Sequence, residues 1–431
     1  MAEGLNQQRQ IFVINLSIGD VDYTSNLRKC RIVSSAATKY HTIILELSAE
    51  SESILNKDIF WNETFTMSIN KVTEDLNPEE IINMELICLQ AQGLTLKSRS
   101  IQSIDTNSQS EDRDVIVLAC IPIESYKRMS KIISKCFMED FNNTPIEAVK
   151  YIANNFLVGM EYEIDEKDIN TVNLPKTFNV QQMAFSTFLD WMDGKNFKDL
   201  PYNPYGPLYI GPFVAFHSFD KFYMHSIKNK LIQNEEYTIH LLATDNPDNT
   251  EIIASTAKFD DYYYTRDPII TKNLSQEDVG ITGYKQIVRS KPNNNLFDEF
   301  ELNTEDIFEE NTVHTKNSDI TNIHEALQVD KYRTKYDGNS NDTDRNWFKI
   351  QIARKLSFQS EINIQLSRKL SIEKLLKVGV PIQFNADAVD YIKYEGKYIT
   401  MATDLIFDRW KSDIYSCTCK IRAFRGNPKE D

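Results

Sequence analysis

Glycine and proline are both scarce, with 13 of each in 431 residues. Loops that cradle phosphates are mostly built on glycine, and the sequence has no G-x-G-x-x-G, no Walker loop, no G-x-S-x-G elbow and no H-E-x-x-H. The six cysteines (Cys30, Cys88, Cys120, Cys136, Cys417 and Cys419) are too few and too scattered for a disulfide framework. They read as reduced thiols of a chain assembled in a cytosol. No run of about 18 apolar residues is present, so no helix is expected to span a bilayer. The opening MAEGLNQQRQ has no apolar signal core. Basic charge is also short: 48 Lys and Arg stand against 63 Asp and Glu, a net charge of −15. That balance argues against a general nucleic-acid binder and favours solubility at high concentration.

Alternation, by contrast, is abundant. Residues 10–121 hold several short period-2 runs without a helical pattern between them: Ile11–Ile18, two strands within Arg31–Ser48, Glu63–Asn70, Ile81–Gln90 and Asp114–Ile121. Such a series favours an antiparallel barrel or sandwich over βαβ units. Ser98–Asp112, rich in Ser, Asn, Gln and acids, reads as a loop.

The pattern changes after residue 122. Ser125–Phe137 has Met129, Ile132, Ile133 and Cys136 at helical spacing. Thr144–Pro145–Ile146–Glu147 combines a cap, a first-turn proline and a glutamate three residues on, opening a helix to about Phe156. A third helix is predicted from about Asn179 to Met192. Pro201–Pro212 is a turn-rich connection, and strands resume at Phe213–His217, Lys221–Ser226 and Glu236–Leu242. Residues 243–345 are the least regular. Within them Phe297–Glu310 holds seven acids and no base, and reads as a solvated loop, a short amphipathic helix or an arm for a partner. Gly338–Arg345 reads as a break. From Trp347 to Phe424 alternation returns, in Trp347–Ala353, Ser360–Leu366, Leu376–Phe384, Gly396–Phe407 and Asp413–Phe424.

The six histidines lie far apart in sequence, although His217 and His225 flank a predicted hairpin at Asp220 and form a conceivable metal pair. Their aromatic neighbours favour ordinary hairpin side chains. Cys417–Thr418–Cys419 is C-x-C within one strand, whereas structural zinc needs about four ligands in paired spacing, so buried thiols fit better. Tyr262, Tyr263 and Tyr264 alternate in direction on a strand and make no single stacking surface. No catalytic, cofactor or metal residue is assigned.

One stretch carries a family likeness. LKVGVPIQF (Leu376–Phe384), followed by GKYITMATDLIFDRWKSDIYSCTCKIRAFR (Gly396–Arg425), resembles the closing strands of the baseplate hub family. That family includes the central hub of contractile-tailed phages and the N-terminal part of type VI secretion spike proteins. The matching positions are Gly379 and Val380, then Gly396, Lys397, Tyr398, Ile399 and Thr400, and finally Tyr415. Thr400 stands where the family has an apolar residue. Ser125–Phe156 and Phe178–Ile227 resemble, in order, its helical segment and its middle α/β domain.

The resemblance implies an α+β, mainly β chain of two antiparallel β-barrels with a helical and α/β middle region. The domains expected are a first barrel (1–122), a middle domain (123–245), an acidic irregular insertion (246–345) and a second barrel (346–431). It implies a homotrimeric hub in the virion baseplate, assembled in host cytoplasm. Its partners would be the tail tube protein, the central spike protein and other baseplate proteins, with DNA passing unbound and no membrane insertion. Cyclic closure would stop assembly at a ring. The chain stops at Asp431 just after the last strand, so the spike is expected to be a separate protein. An acidic lumen would repel DNA phosphates. The rivals are a carbohydrate-active or peptidoglycan-degrading tail enzyme and a receptor-binding tail protein.

Overall fold

The computed structural model describes residues 11–48, 63–72, 78–92, 115–137, 145–157, 159, 161–165, 178–192, 213–219, 221–226, 230, 233–241, 252–261, 283–289, 297–303, 325–328, 360–368, 372–386, 394–411 and 413–425. The N-terminal strands are β1 (Ile11–Ile18), β2 (Val21–Asp22), β3 (Leu27–Ser35), β4 (Tyr40–Ser48), β5 (Phe65–Val72), β6 (Pro78–Gln92) and β7 (Val115–Pro122). Next come α1 (Ile123–Met129), β8 (Ile132–Phe137), α2 (Pro145–Phe156), β9 (Glu161–Ile164), β10 (Phe178–Ala184), α3 (Phe185–Met192), β11 (Phe213–His217), β12 (Lys221–Ser226) and β13 (Tyr237–Leu241). The remainder is β14 (Ile252–Asp261), β15 (Gly283–Arg289), β16 (Phe297–Asn303), β17 (Glu325–Gln328), β18 (Ser360–Arg368), α4 (Ile372–Leu375), β19 (Pro381–Ala386), β20 (Gly396–Lys411) and β21 (Ile414–Arg425).

The fold is mainly β, but the two expected barrels are not separate. They belong to one continuous 16-stranded sheet. Followed from strand to strand, β1–β5–β6–β7–β4–β3–β20–β21 returns to β1, and every pairing on the way is antiparallel. A second circuit, β20–β19–β13–β14–β18–β21, returns to β20. Here β13 lies parallel to both β14 and β19, so this ring is not wholly antiparallel. The two rings share the long β20–β21 hairpin. Its turn end belongs to the first ring, where β20 meets β3 and β21 meets β1. Its open end belongs to the second, where β20 meets β19 and β21 meets β18.

Alternation explains the filling of both rings. Inward residues of the first ring include Phe12, Ile14, Leu45, Phe65, Met67, Leu86, Leu118 and Phe407, all fully or nearly fully buried. An eight-stranded ring is just wide enough for its own side chains to fill it. The inward row Tyr415, Cys417, Cys419, Ile421 and Ala423 runs along β21 through both rings and joins their interiors into one apolar core. Phe12 meets Phe407 edge-on at 5.4 Å where the first ring closes. On the outward face, Lys29–Asp408 (3.1 Å) and Arg31–Asp404 (2.6 Å) stitch β3 to β20. Partly exposed pairs of this kind add little stability, under about 1 kcal/mol each, but they oppose slippage of the register.

A smaller unit packs beside the rings. Here α1, α2, α3 and the β11–β12 hairpin enclose a second core, which includes Ile152, Phe185, Phe188 and Phe222. Four local expectations change. Ser125–Phe137 is helix only to Met129 and then strand β8, and Asn179–Met192 is strand β10 before helix α3. These two short strands pair with each other, and that pairing outweighs the helical spacing of their apolar residues. Leu376–Phe384 is strand only from Pro381, after α4 and a turn at Gly379. Within the acidic stretch, Phe297–Asn303 is not loop or helix but strand β16, antiparallel to β15 in a three-stranded sheet with β17. Ser98–Asp112, Pro201–Pro212, Tyr262–Tyr264, Gly338–Arg345 and Trp347–Ala353 lie outside the described residues.

The first ring depends on strands 270 or more positions away in sequence. A fragment of residues 1–122 is therefore expected to show no cooperative thermal transition by circular dichroism. Adding residues 394–431 in trans should protect the amides of β1 and β3 from hydrogen exchange. A fragment that melts cooperatively by itself would contradict the shared-hairpin closure.

Candidate functional site

The residues singled out by the family pattern fall along the shared hairpin and its supports. Gly379 sits at φ +74°, and a Cβ there would lie 2.8 Å from Val214 Cγ1. Only glycine allows both this backbone and the approach of β11. Its N–H donates to the Thr400 carbonyl at 2.7 Å, and the Thr400 N–H donates to the Val380 carbonyl at 3.0 Å. Thr400, the departure from the apolar pattern, is fully buried. Its hydroxyl accepts from the Val380 N–H and donates to the Val380 carbonyl, each at 3.2 Å. It therefore supports the backbone beside the break in register between Thr400 and Ala402. Gly396 opens β20 at φ +136°, opposite Phe384. Tyr398 is fully buried, and its hydroxyl donates to the Tyr394 carbonyl at 2.7 Å.

Tyr415 acts elsewhere. It lies in the first ring, opposite Phe12, and its buried hydroxyl donates to the Leu27 carbonyl at 2.7 Å. Burial pushes that hydroxyl's pKa well above its usual value, so it stays a donor. Gly379, Val380 and Thr400 are thus brought together, Gly396 and Tyr398 continue along the same strand pair, and Tyr415 ties the hairpin to β3. None of these residues offers reactive chemistry.

A buried polar seam joins the β11–β12 hairpin to the first ring. The only β4–β11 pairing is His217 with Tyr40, and the His217 N–H donates to the Lys39 carbonyl at 2.7 Å. Arg128 Nη1 lies 3.2 Å from His217 Nε2, and Ser125 Oγ lies 2.9 Å from its Nδ1. Arginine can only donate, so His217 accepts at Nε2 and donates from Nδ1, which is the neutral tautomer. His41 shares a hydrogen bond with Ser34 at 2.8 Å and stacks on Phe219 at 4.1 Å. Lys39, 5% exposed in its side chain, pairs with Asp190 at 2.6 Å.

His217 and His225 do not form a metal pair. His217 is opposite Phe222 and His225 is opposite Val214, so they project from opposite faces of the hairpin. Cys417 and Cys419 are buried free thiols, and burial pushes both pKa values up. Among the described residues, no three His, Cys, Asp or Glu side chains come together as a metal-binding group.

The feature that sequence reasoning missed is the outward face of β14–β18–β21–β20–β3. A cavity of about 300 Å³ opens there, lined in part by Lys258, Asn363, Gln365, Asp404, Lys420 and Arg422. Register places Thr256, Gln365, Lys420, Asp404 and Val33 in one row across all five strands. Its residues are scattered over the sequence, with Arg31 and Asp404 being 373 positions apart, so no local motif announces the face.

No family model matches this sequence, and no curated protein sequence matches it. Solved structures do. The 43 kDa tail protein of prophage MuSo2 from Shewanella oneidensis aligns over 96% of this chain and 98% of its own, at 8% identity and a TM-score of 0.53. The chain has the fold of a phage tail protein. A tail protein of Neisseria meningitidis MC58 aligns over 96% of both chains at 7% identity, with a TM-score of 0.49. An E. coli component of the type VI secretion system, described as structurally similar to T4 bacteriophage tail proteins, covers 96% of this chain and 79% of its own at 9% identity and a TM-score of 0.44. The likeness to a prophage tail protein agrees, at the level of the fold alone, with the phage-tail resemblance read from the C-terminal strands.

Two measurements test the supports. Gly379→Ala adds strain at positive φ and a close contact with Val214, and is expected to cost about 2–4 kcal/mol in urea unfolding. Val214→Ala in the same chain should recover part of that loss. The second test is pH. Burial lowers the His41 pKa from 6.5 to about 3. The unfolded chain therefore binds the proton more readily between those values, and stability is lost as pH falls from about 6.5 towards 3. The full difference is on the order of 5 kcal/mol. His41→Gln should flatten that part of the stability–pH curve, and an unchanged slope would remove His41 as its cause.

Proposed function

We propose that this chain is the structural hub of a contractile-tail baseplate, a homotrimeric ring that joins the hexameric tail tube to the trimeric central spike. The observation that carries this reading is the pair of strand rings fused through one hairpin. Three such chains present six rings, which matches a six-fold tube approximately, while keeping true three-fold symmetry for a spike. The likeness in fold to a prophage tail protein over nearly the whole of both chains supports the same reading.

The hub works by geometry rather than turnover, and we assign it no enzymatic role. Both rings are packed with their own side chains, so DNA passes between copies and not through a ring. Cyclic, head-to-tail interfaces close after three copies and end growth. Other baseplate proteins surround the ring in the virion, after assembly in host cytoplasm. An acidic lumen would have to come from surfaces other than the β14–β18–β21–β20–β3 face, which carries both signs: Lys29 and Arg31 are paired with Asp408 and Asp404, beside Lys420 and Arg422.

Mass photometry of the purified full chain is expected to give three times the 50.0 kDa protomer mass. Negative-stain images should show a ring with a central hole. A monomer at micromolar concentration, with no hole in any view, would remove the hub reading. Peptidoglycan cleavage abolished by changing two neighbouring carboxylates would replace it with the enzyme reading, and glycan binding by the isolated chain would favour a receptor-binding one.

A further inference from the structure

Five described cysteines are free and buried, and all of them lie in the core shared by the two rings. Their neighbours differ. Cys30 faces Leu45 on one strand and Phe407 on the other, and its thiol donates to Met67 Sδ at 3.8 Å. Cys417 faces Phe407, and Cys419 faces Leu405 and Leu366. Cys88 and Cys120 alone are direct cross-strand partners, on β6 and β7. Directly opposed on adjacent antiparallel strands, their side chains share one face of the sheet, and the Cys88 thiol donates to the Gln90 carbonyl at 3.6 Å.

We propose that Cys88 and Cys120 are a site of reversible disulfide formation that locks β6 to β7 within the first ring. Directly opposed residues of antiparallel strands hold their Cβ atoms about 4.5–5.5 Å apart, and a disulfide needs about 3.5–4.5 Å. The strands must therefore close by about 1 Å at this pair. The register breaks between Cys88 and Gln90, immediately beside the first sulfur, and supplies that slack. Cys88 is 5% exposed whereas Cys120 is 0% exposed, so a small disulfide reaches Cys88 first. The neighbouring thiol favours the same order, lowering the pKa of Cys88 while that of Cys120 is raised. The thiolate is the attacking form.

The chemistry balances with a low-molecular-weight disulfide as oxidant. The Cys88 thiolate attacks one sulfur of the oxidant, forming a mixed disulfide and releasing one small thiolate. Cys120 loses its proton to solvent and attacks the Cys88 sulfur, and the second small thiolate leaves. Two protein thiols are oxidised to one disulfide, and one small disulfide is reduced to two thiols. The bridge closes a chain loop between residues 88 and 120, which restricts the unfolded chain. This inference goes beyond the hub reading and holds whether or not three copies assemble. For a particle built in a reducing compartment and released into an oxidising one, the bond would form after the ring has closed.

The test incubates the folded full chain in buffers of reduced and oxidised glutathione, quenches with an alkylating agent, and maps disulfide-linked peptides by mass spectrometry. A Cys88–Cys120 link is expected, with Cys30, Cys417 and Cys419 still alkylated after denaturation. The oxidised chain should melt several degrees higher than the reduced one. Cys120→Ser should stop at glutathione on Cys88. The absence of the link in oxidising buffer, its formation only under denaturant, or glutathione on Cys120 with Cys88 untouched would each overturn the proposal. The wild-type melting comparison needs no variant, so a misfolded Cys120→Ser chain leaves the test intact.

Discussion

The β20–β21 hairpin is the constraint on which the rest of the architecture depends. A strand has two edges, and each strand of this hairpin uses one edge for its hairpin partner along most of its length. The other edge is divided, with β20 meeting β19 and then β3, while β21 meets β1 and then β18. This division is what makes two rings from one sheet. It also explains the length of β20, 16 residues, well beyond the usual five or six of a strand. Closing both rings leaves the hairpin strands little free edge, and free edges are where β proteins recruit unwanted strands.

That arrangement was only half legible in the sequence. Period-2 alternation located β1, β3, β4, β5, β7, β18, β20 and β21, because each has one face in an apolar core. Some strands without clear alternation were misread, although β11, buried at all five positions, was not. β8 and β10 have apolar residues at spacings that mimic a helix, and their strand character comes from pairing with each other. β16 is acidic and still pairs along its whole length with β15. Which strands close which ring was not readable at all. Nothing local in residues 10–121 says that their ring lacks two strands, or that these lie beyond residue 395.

The residues of the family pattern show why a motif can be visible when its partners are not. Gly379 is required by a positive φ and by the approach of Val214, and Thr400 by the backbone of Val380. These are short-range demands near a turn or a break in register, and they leave single-residue marks. The Arg31–Asp404 and Lys39–Asp190 pairs leave none, since any lysine or arginine and any carboxylate would read the same. The same holds for the outward face of the five-strand sheet, which exists only once β14, β18, β21, β20 and β3 are in register.

A fused pair of rings also differs mechanically from two barrels on a linker. Two domains joined by a flexible segment reorient freely, and their ring would have to be ordered by its interfaces alone. Here, tilting one ring against the other means bending β20 and β21 at the break in register between Thr400 and Ala402. The Thr400 hydroxyl, Gly379 and the β11–β12 hairpin pack against that point. Val214, Ile399 and Ala36 form a small apolar cluster in the notch, with Met401 beside it. The middle unit thus braces the junction. A chain built this way delivers its two rings to an assembly already oriented, so that the entropy of ordering them is lost during folding and not during association.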